Sequence, residues 1–376
     1  MNTSQNAKKV QFRHVVLKGS AYQIGRQEAE FIKSDPAAVG YFTSGMKMPI
    51  RTDMKTVMEP FRRYCPSVLD EIAGFAEGLH ATQESIVYLA ATWLQRPGCS
   101  HLAVLPRMTA SGHTLVARSY DFSENMDDLS LVSTSVDGKY AHIGFSTMLF
   151  GRCDGMNEHG LSVTMSAGGI PVGNAPGQPA PIRNGLQFWV LVRALLEECR
   201  TVDEAEQVIR DFPTGGNPIL IVADPSGKAI AAECYGAERG GRRIDSASSM
   251  PYLWAANHFI EQEMQIHSSP RMANSIRRGE IMDEFLQKMG GKVTKENLKG
   301  LLSKPYPDGL CCHYYPDFFG TLHSLVFDLD ERTAEISFGS PAVNEWRTFT
   351  LSDQKPGEYE VLLPQEKAEP DFMRMD

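Results

Sequence analysis

The sequence predicts an α+β protein in which β-sheets pack face to face with helices outside them. Three observations lead there. The first hundred residues are helical in texture, whereas short β-like runs dominate from Cys99 onward. Strands then come in blocks instead of alternating with single helices, which argues against a doubly wound parallel sheet. The chain has 376 residues, 42% hydrophobic and 22% charged, ordinary values for a globular protein long enough to bury a core without disulfide or metal staples.

The elements follow in order. Residues 21–32 form an amphipathic helix. Residues 66–79 carry Val68, Leu69, Ile72, Phe75 and Leu79 at near-helical period, and residues 84–94 continue with Ile86, Leu89 and Trp93. Arg96-Pro97-Gly98 breaks the pattern. Strands are expected over 101–105, 114–118, 129–136, 142–145 and 161–165, separated by Gly, Asp and Asn. A Pro/Gly-rich loop covers 168–181, followed by helices over 186–198 and 202–211, the second opened by Thr201 with an acid three residues on. Two strands, 219–223 and 229–234, flank the turn Asp224-Pro-Ser-Gly227. Then come 253–257, helices over 271–289 and 294–302, and closing strands over 321–328 and 333–338. The polar tail from 365 is expected to be loose.

Composition excludes several classes. Net charge is −9, which argues against a nucleic-acid partner. Seven cysteines with no CxxC pair do not make a disulfide scaffold. Residues 1–18 show no hydrophobic signal region, and the longest apolar run, 219–223, is far short of a membrane span. The expectation is a cytoplasmic chain with no membrane contact.

Gly98-Cys99 is the first candidate for chemistry. Glycine permits backbone geometries closed to other residues, and a thiol beside such a bond can attack the preceding carbonyl. An N-to-S acyl shift and hydrolysis would free the Cys99 amine, joining nucleophile and base in one residue. The same cysteine also reads as a small buried core residue. Arg118 and Asp121 end a strand antiparallel to the Cys99 strand. A guanidinium near the thiol favours thiolate, and a carboxylate can hold the amine. Strict alternation puts Arg118 and Asp121 on opposite faces, so one is expected past the strand end. Asn257, after an apolar run, suits an oxyanion donor, a cap or a turn. Ser269-Pro-Arg271 and Arg277-Arg278 open a helix and suit a carboxylate partner or a solvated face. Cys311-Cys312-His313 resembles a soft metal corner without a second ligand pair at the usual spacing.

Taken together, these residues resemble the N-terminal nucleophile hydrolases of the choloylglycine hydrolase and penicillin acyltransferase group. The sequence is closer to the self-cleaving acyltransferase branch. Residues 17–26 look like that branch's leader, Cys99-Ser100 like its nucleophile, and Ala117-Arg118-Ser-Tyr-Asp121-Phe122 like its G-R-N-x-D-[WF] segment. Gly155-Met-Asn157-Glu158-His-Gly160-Leu161 is similar to G-M-N-E-x-G-L. Residues 217–233 are similar to the I-x-D-x-x-G-x-x-x-x-x-E hairpin, Ala256-Asn257-His258-Phe259 to T-N-H-F, and 321–328 to the closing strand. Departures are Ser119 for Asn, Ala256 for Thr, Ser166-Ala167 where bile-salt hydrolases have a second oxyanion Asn, and Phe319-Gly320 in place of a Ser-Arg pair.

The resemblance implies a four-layer αββα sandwich with two antiparallel sheets. It implies a helical leader, 1–98, packed on a catalytic part, 99–376, with autocleavage between Gly98 and Cys99. Cys99 is then the nucleophile, Arg118 and Asp121 tune its thiol and amine, Asn257 faces the oxyanion, and Arg271 (with Arg278 second) is the helix arginine. No cofactor or metal is implied. The reaction implied is hydrolysis or transfer of the acyl group of a linear amide, with a small-molecule acyl amide as substrate and an amine or acyl-CoA as a second one; a homo-oligomer is left open. The competing expectations are an unprocessed fold that binds a small acyl ligand, and a thiol or metal protein built on Cys311-Cys312-His313.

Overall fold

A computed structural model of the chain describes residues 6–44, 53–92, 98–169, 185–268, 270–353 and 355–376. Most of the expected 168–181 loop, the end of the 84–94 helix, the break before Gly98 and Ser269 lie outside the described residues.

Two sheets form the centre. The larger runs, strand by strand, Glu238–Ile244, Lys228–Tyr235, Pro218–Asp224, Ser162–Ala167, Asp154–Asn157, His142–Thr147, Ser130–Val136, Ala7–Gly19, Gly357–Pro364. The smaller runs Tyr252–Ala255, Gly98–Val104, Leu115–Phe122, Phe319–Asp328, Thr333–Phe338, Trp346–Thr350. They meet face to face where the Gly98–Val104 strand lies over Ser162–Ala167 and Pro218–Asp224. Helices Phe188–Glu198 and Val202–Asp211 pack on the larger sheet, and Ala273–Met289 and Lys295–Ser303 on the smaller. This is the αββα layering the resemblance implies. The strand contacts run antiparallel except that Ala7–Gly19 pairs in parallel with Ser130–Val136.

That strand corrects the expectation of a purely helical leader. Ala7–Gly19 sits between Ser130–Val136 and Gly357–Pro364 and pairs with both, so the first segment of the chain is built into the larger sheet. Its alternation is blurred because charged residues interrupt it: Lys8 pairs with Glu124, Lys9 with Glu360, and Arg13 lies over the Phe31 ring. The helix at Ala21–Ile32 is as expected, closed by a capping box from Ser20 and Gln23. It crosses Pro66–Gly78 at two glycines: a Cβ on Gly25 would lie 1.8 Å from Glu71 O, and one on Gly74 would lie 2.0 Å from Tyr22 O. Backbones approach that closely only where side chains are missing.

The tail is not loose either. Phe372 is buried among Tyr306, Tyr314 and Phe319. Arg271 and Asp376 exchange main-chain hydrogen bonds, and Ala273 N donates to Arg374 O. Its polar composition hid one aromatic anchor.

A buried ion network joins the Pro66–Gly78 helix to the Phe188–Glu198 helix. Arg193 forks onto Glu71 (3.1 and 2.6 Å) and reaches Glu197 (2.5 Å), and Ser67 donates to Glu197 (2.9 Å). Arg193 and Glu71 are fully buried. Removing the guanidinium leaves two buried carboxylates without their counter-charge. Arg193→Met is therefore expected to destabilise the protein by about 3–5 kcal/mol, read as a lower urea midpoint; an unchanged midpoint would contradict this account of the interface.

Candidate active site

Cys99 lies at the start of an inner strand of the smaller sheet, and register places its neighbours. Cys99 pairs with Tyr120, His101 with Arg118, and Gly98 with Asp121. Because side chains alternate, Cys99, His101, Arg118 and Tyr120 face the larger sheet. Gly98, Ser100, Ser119 and Asp121 face the Ala273–Met289 helix.

On the inner face, Arg118 Nη2 donates to Cys99 Sγ (3.3 Å) and to Met165 O (2.8 Å), while Nη1 meets Cys153 Sγ (3.5 Å) and the Asp154 carboxylate. Asp154 also accepts from His323 Nε2 (2.9 Å) and Phe145 N (2.9 Å), and these cationic and N–H partners outweigh burial to hold its carboxyl below the usual range. The His323 ring is stacked between Tyr120 and Phe145. Beside it, His101 bridges to Thr164 (2.8 Å) and Ser166 (3.1 Å), stitching the two sheets together.

On the outer face, Arg278 Nη1 donates to Cys99 O (2.6 Å) and Ser100 Oγ (3.0 Å), and its Nη2 to Asn257 Oδ1 (2.7 Å) and Asn274 Oδ1 (2.8 Å). Asn257 Oδ1 also accepts from Cys99 N (3.1 Å), and its Nδ2 donates to Ala167 O (2.8 Å). Asp121 Oδ1 accepts from Ser119 (2.9 Å) and Thr321 (2.6 Å). Its Oδ2 is buried with no partner among the described residues. Burial raises the Asp121 carboxyl, against the pull of Arg278. Burial likewise pushes the Cys99 thiol up to about 11, with Arg118 pulling it down and Asp121 adding to the rise.

The structure thus brings Cys99, Arg118, Asp121 and Asn257 together, with three differences from expectation. Arg118 and Asp121 both lie inside the Leu115–Phe122 strand, and neither sits past its end. They serve opposite faces, one the thiol and one the helix. The helix arginine at the site is Arg278. Arg271 is exposed and precedes the helix, which begins at Ala273, with its main chain tied to Asp376. The Asn257 amide oxygen, moreover, faces the nitrogen of Cys99. Gly98 has no left-handed φ; what excludes a side chain there is the Phe319 ring, 2.2 Å from where a Cβ would stand.

Sequence reasoning missed Asp154, which neutralises Arg118, and His323, which hydrogen-bonds that carboxylate. Asp154 directly precedes the Gly155-Met-Asn157 motif, so the motif was read one residue short. His323 stands in the closing strand and carried no signal of its own. In the motif itself, Asn157 is structural: its Nδ2 donates to Leu196 O and Cys199 O, and its Oδ1 accepts from Leu161 N. Cys311 Sγ and His313 Nε2 lie 3.5 Å apart and both meet Ser340, whereas Cys312 packs in the aromatic cluster with Tyr314, Phe319 and Phe372. The three side chains therefore do not converge on one centre. Cys153, Asp154 and His323 do cluster, but Asp154 is already engaged by Arg118.

The site's histidines are buried neutral. His258, which shares Ser275 with the Asn257 main chain (2.8 Å each), is pushed from 6.5 to about 4 by burial, Arg271 and Arg278. Burial does the same to His323, against the pull of Asp154. A lowered folded value means stability is complete above pH 6.5 and is lost as pH falls towards 4. Each contributes on the order of 3 kcal/mol if fully protonated. The urea midpoint should fall across that window, and less so in His258→Gln, which has no proton to take up. A flat profile contradicts it.

Comparison with known proteins adds the lineage. No curated protein matches the chain. Among solved structures, similar ones are a conjugated bile acid hydrolase mutant from Clostridium perfringens (11% identity, TM-score 0.45, 72% of this chain and 99% of that one) and penicillin V acylase from Agrobacterium tumefaciens (15%, 0.44, 70% and 90%). A third is a Caenorhabditis elegans ortholog of N-acylethanolamine-hydrolyzing acid amidase (14%, 0.42, 61% and 93%). Residues 107–343 match the family described as acyl-coenzyme A:6-aminopenicillanic acid acyl-transferase. That span begins after Cys99 and takes in Arg118, Asp121, Asp154, Asn257 and Arg278, and it makes up more than half the chain. The chain belongs to this acyl-transferase family.

Proposed function

We propose that the protein is a self-processing cysteine amidase or acyltransferase that acts on a linear amide through an N-terminal Cys99. One observation carries the reading: every polar atom of Cys99 has its own side-chain partner. The thiol meets Arg118, the nitrogen meets Asn257, and the carbonyl meets Arg278. A chain end is normally frayed. These contacts do not depend on residue 98, so they would hold residue 99 in place after its peptide bond is cut.

In the uncut chain the thiol is neutral and the nitrogen is an amide. Sγ adds to the Gly98 carbonyl carbon, the C–N bond breaks, and the thiol proton passes to the nitrogen. Water then displaces sulfur, leaving a Gly98 carboxyl group and a free Cys99 amine. The amine has a reference pKa of about 8, within reach of physiological pH, and becomes the base its amide precursor could not be. With an external amide, the amine takes the thiol proton and Sγ attacks the acyl carbonyl beside Arg118. The oxyanion meets Asn257 Nδ2 and main-chain N–H groups. The amine returns its proton to the leaving nitrogen, and water or an amine acceptor releases the acyl group. Asp121, with one carboxylate oxygen free of partners among the described residues, faces the charge that appears when the α-nitrogen is protonated. Arg278 acts as a positioning residue. The family's name supports a small acyl compound and an acyl-CoA as the substrate pair, and the names of the similar structures support amide hydrolysis.

Intact-mass measurement on purified protein is expected to give fragments 1–98 and 99–376. They should co-elute in gel filtration, because the Ala7–Gly19 strand lies between two strands of the larger sheet. Cys99→Ala should give only the unbroken chain and no amidase activity; cleavage and activity that survive this substitution would falsify the reading. Arg118→Lys keeps the charge but loses the fork, so kcat/KM on an acyl anilide, per folded molecule, should drop roughly 10- to 100-fold, together with a lower melting temperature. An unaltered kcat/KM would remove Arg118 from the chemistry.

A further inference from the structure

Gly98 is the acyl group that Cys99 meets first, on the reading that the chain cuts itself. In that step, Sγ bonds to the Gly98 carbonyl carbon as the C–N bond breaks and the thiol proton moves to the α-nitrogen. The thioester so formed and the thioester drawn from an external amide are the same group on the same sulfur. The acyl chain of an external amide therefore enters the space Gly98 leaves, with its α-carbon where the Gly98 Cα stood.

That space has one hard wall. A Cβ on Gly98 would lie 2.2 Å from Phe319 Cζ, 2.3 Å from Cε2 and 3.0 Å from Cε1. A side-chain tip often yields to such pressure, but this ring is held from other directions. Phe372 stands edge-on to it at 4.9 Å between centroids, and the Arg278 guanidinium lies 5.1 Å from its centroid. Arg278 in turn is tied to Cys99 O and Asn257, so it retreats only by releasing the nucleophile. The residue on the next position, Gly320, is closed in the same way, since a Cβ there would lie 2.1 Å from the Tyr315 ring. The Phe319-Gly320 pair is thus locked by aromatic packing on both sides.

We propose that Phe319 makes this enzyme selective for acyl groups with an unbranched methylene beside the carbonyl, and that it excludes an α-substituent pointing where an L side chain would point. Gly98 is the member of that class built into the chain, which is why glycine stands before the nucleophile. Away from Arg278, the neighbours of the ring are Cys312, Tyr314 and Phe372, and an alkyl or aryl acyl chain suits that apolar side.

The test compares kcat/KM of the mature enzyme on hexanoyl p-nitroanilide with that on each enantiomer of the 2-methylhexanoyl anilide. The enantiomer with its methyl in the L position should be roughly 10- to 100-fold poorer than hexanoyl. Phe319→Leu should shrink that ratio to a few-fold, with Phe319→Ala as a second variant if it folds. In parallel, Gly98→Ala should slow self-cleavage by intact mass, and Gly98→Ala with Phe319→Leu should restore it. Equal rates on hexanoyl and both branched anilides, or Gly98→Ala cleaving at the wild-type rate, overturns the proposal while leaving the amidase reading intact. A wild-type chain that neither cuts itself nor turns over any anilide sinks both. Self-cleavage without anilide turnover leaves the decision to the Gly98→Ala pair.

Discussion

A fully buried guanidinium organises this molecule. Arg118 is fully buried between two sheets, where an unpaired charge is costly. Asp154 supplies the opposite charge from the facing sheet. His323 and the Phe145 amide satisfy that carboxylate, and Tyr120 lies beneath the guanidinium at 4.8 Å. Once Asp154 is committed this way, the remaining Nη2 direction is free to point at the Cys99 sulfur. The partner that makes burial tolerable also aims the cation. The sandwich is closed over the site by the need to neutralise Arg118, and His101 adds a neutral stitch beside it.

A second buried arginine works from the opposite side of the same strand. Arg278 needs no carboxylate in hydrogen-bond contact, because four oxygens surround it: Cys99 O, Ser100 Oγ, Asn257 Oδ1 and Asn274 Oδ1. Asp121 balances it at longer range. The Cys99 strand therefore runs between two cations, one on the thiol and one on the main chain. A residue gripped on both faces keeps its place without help from the chain before it. The first hundred residues are held separately, by a strand in the larger sheet and by the Glu71–Arg193–Glu197 network.

How much of this was legible in the sequence follows from what kind of force places each part. The helices at Ala21–Ile32 and Val202–Asp211 and the strand at Thr333–Phe338 were readable to the residue, because apolar period and caps are local signals. The Ala7–Gly19 strand was not, since its alternation is broken by charges that pair across the sheet. The Phe372 anchor was hidden by a polar tail for a similar reason: one aromatic is no pattern. In the site, Cys99, Arg118, Asp121 and Asn257 were legible as motif positions. Arg278 over Arg271 was not, because the choice depends on where the helix starts and which face meets the Cys99 strand. Asp154 and His323 depend on the facing sheet, and no local spacing reports a partner across a sandwich.

On the self-processing reading, the charge balance also explains why a chain not yet cut would not turn over an external amide. Burial holds the thiol near 11 even with Arg118 against it, and the adjoining nitrogen, as an amide, cannot take its proton. Hydrolysis of one bond changes both terms. It creates a base on the residue that bears the thiol, and when that base is protonated it adds a second positive charge beside the sulfur, which already has Arg118. It also turns the Gly98 carbonyl into a carboxylate, and once that chain end moves aside the space beside Phe319 is open to substrate. The protonated amine favours thiolate, and so does the departure of that carboxylate. On this reading the two arginines are in place before the cut and do not need to move, so maturation is an electrostatic change at a preformed site, and the leader's last residue marks where the next acyl group will lie.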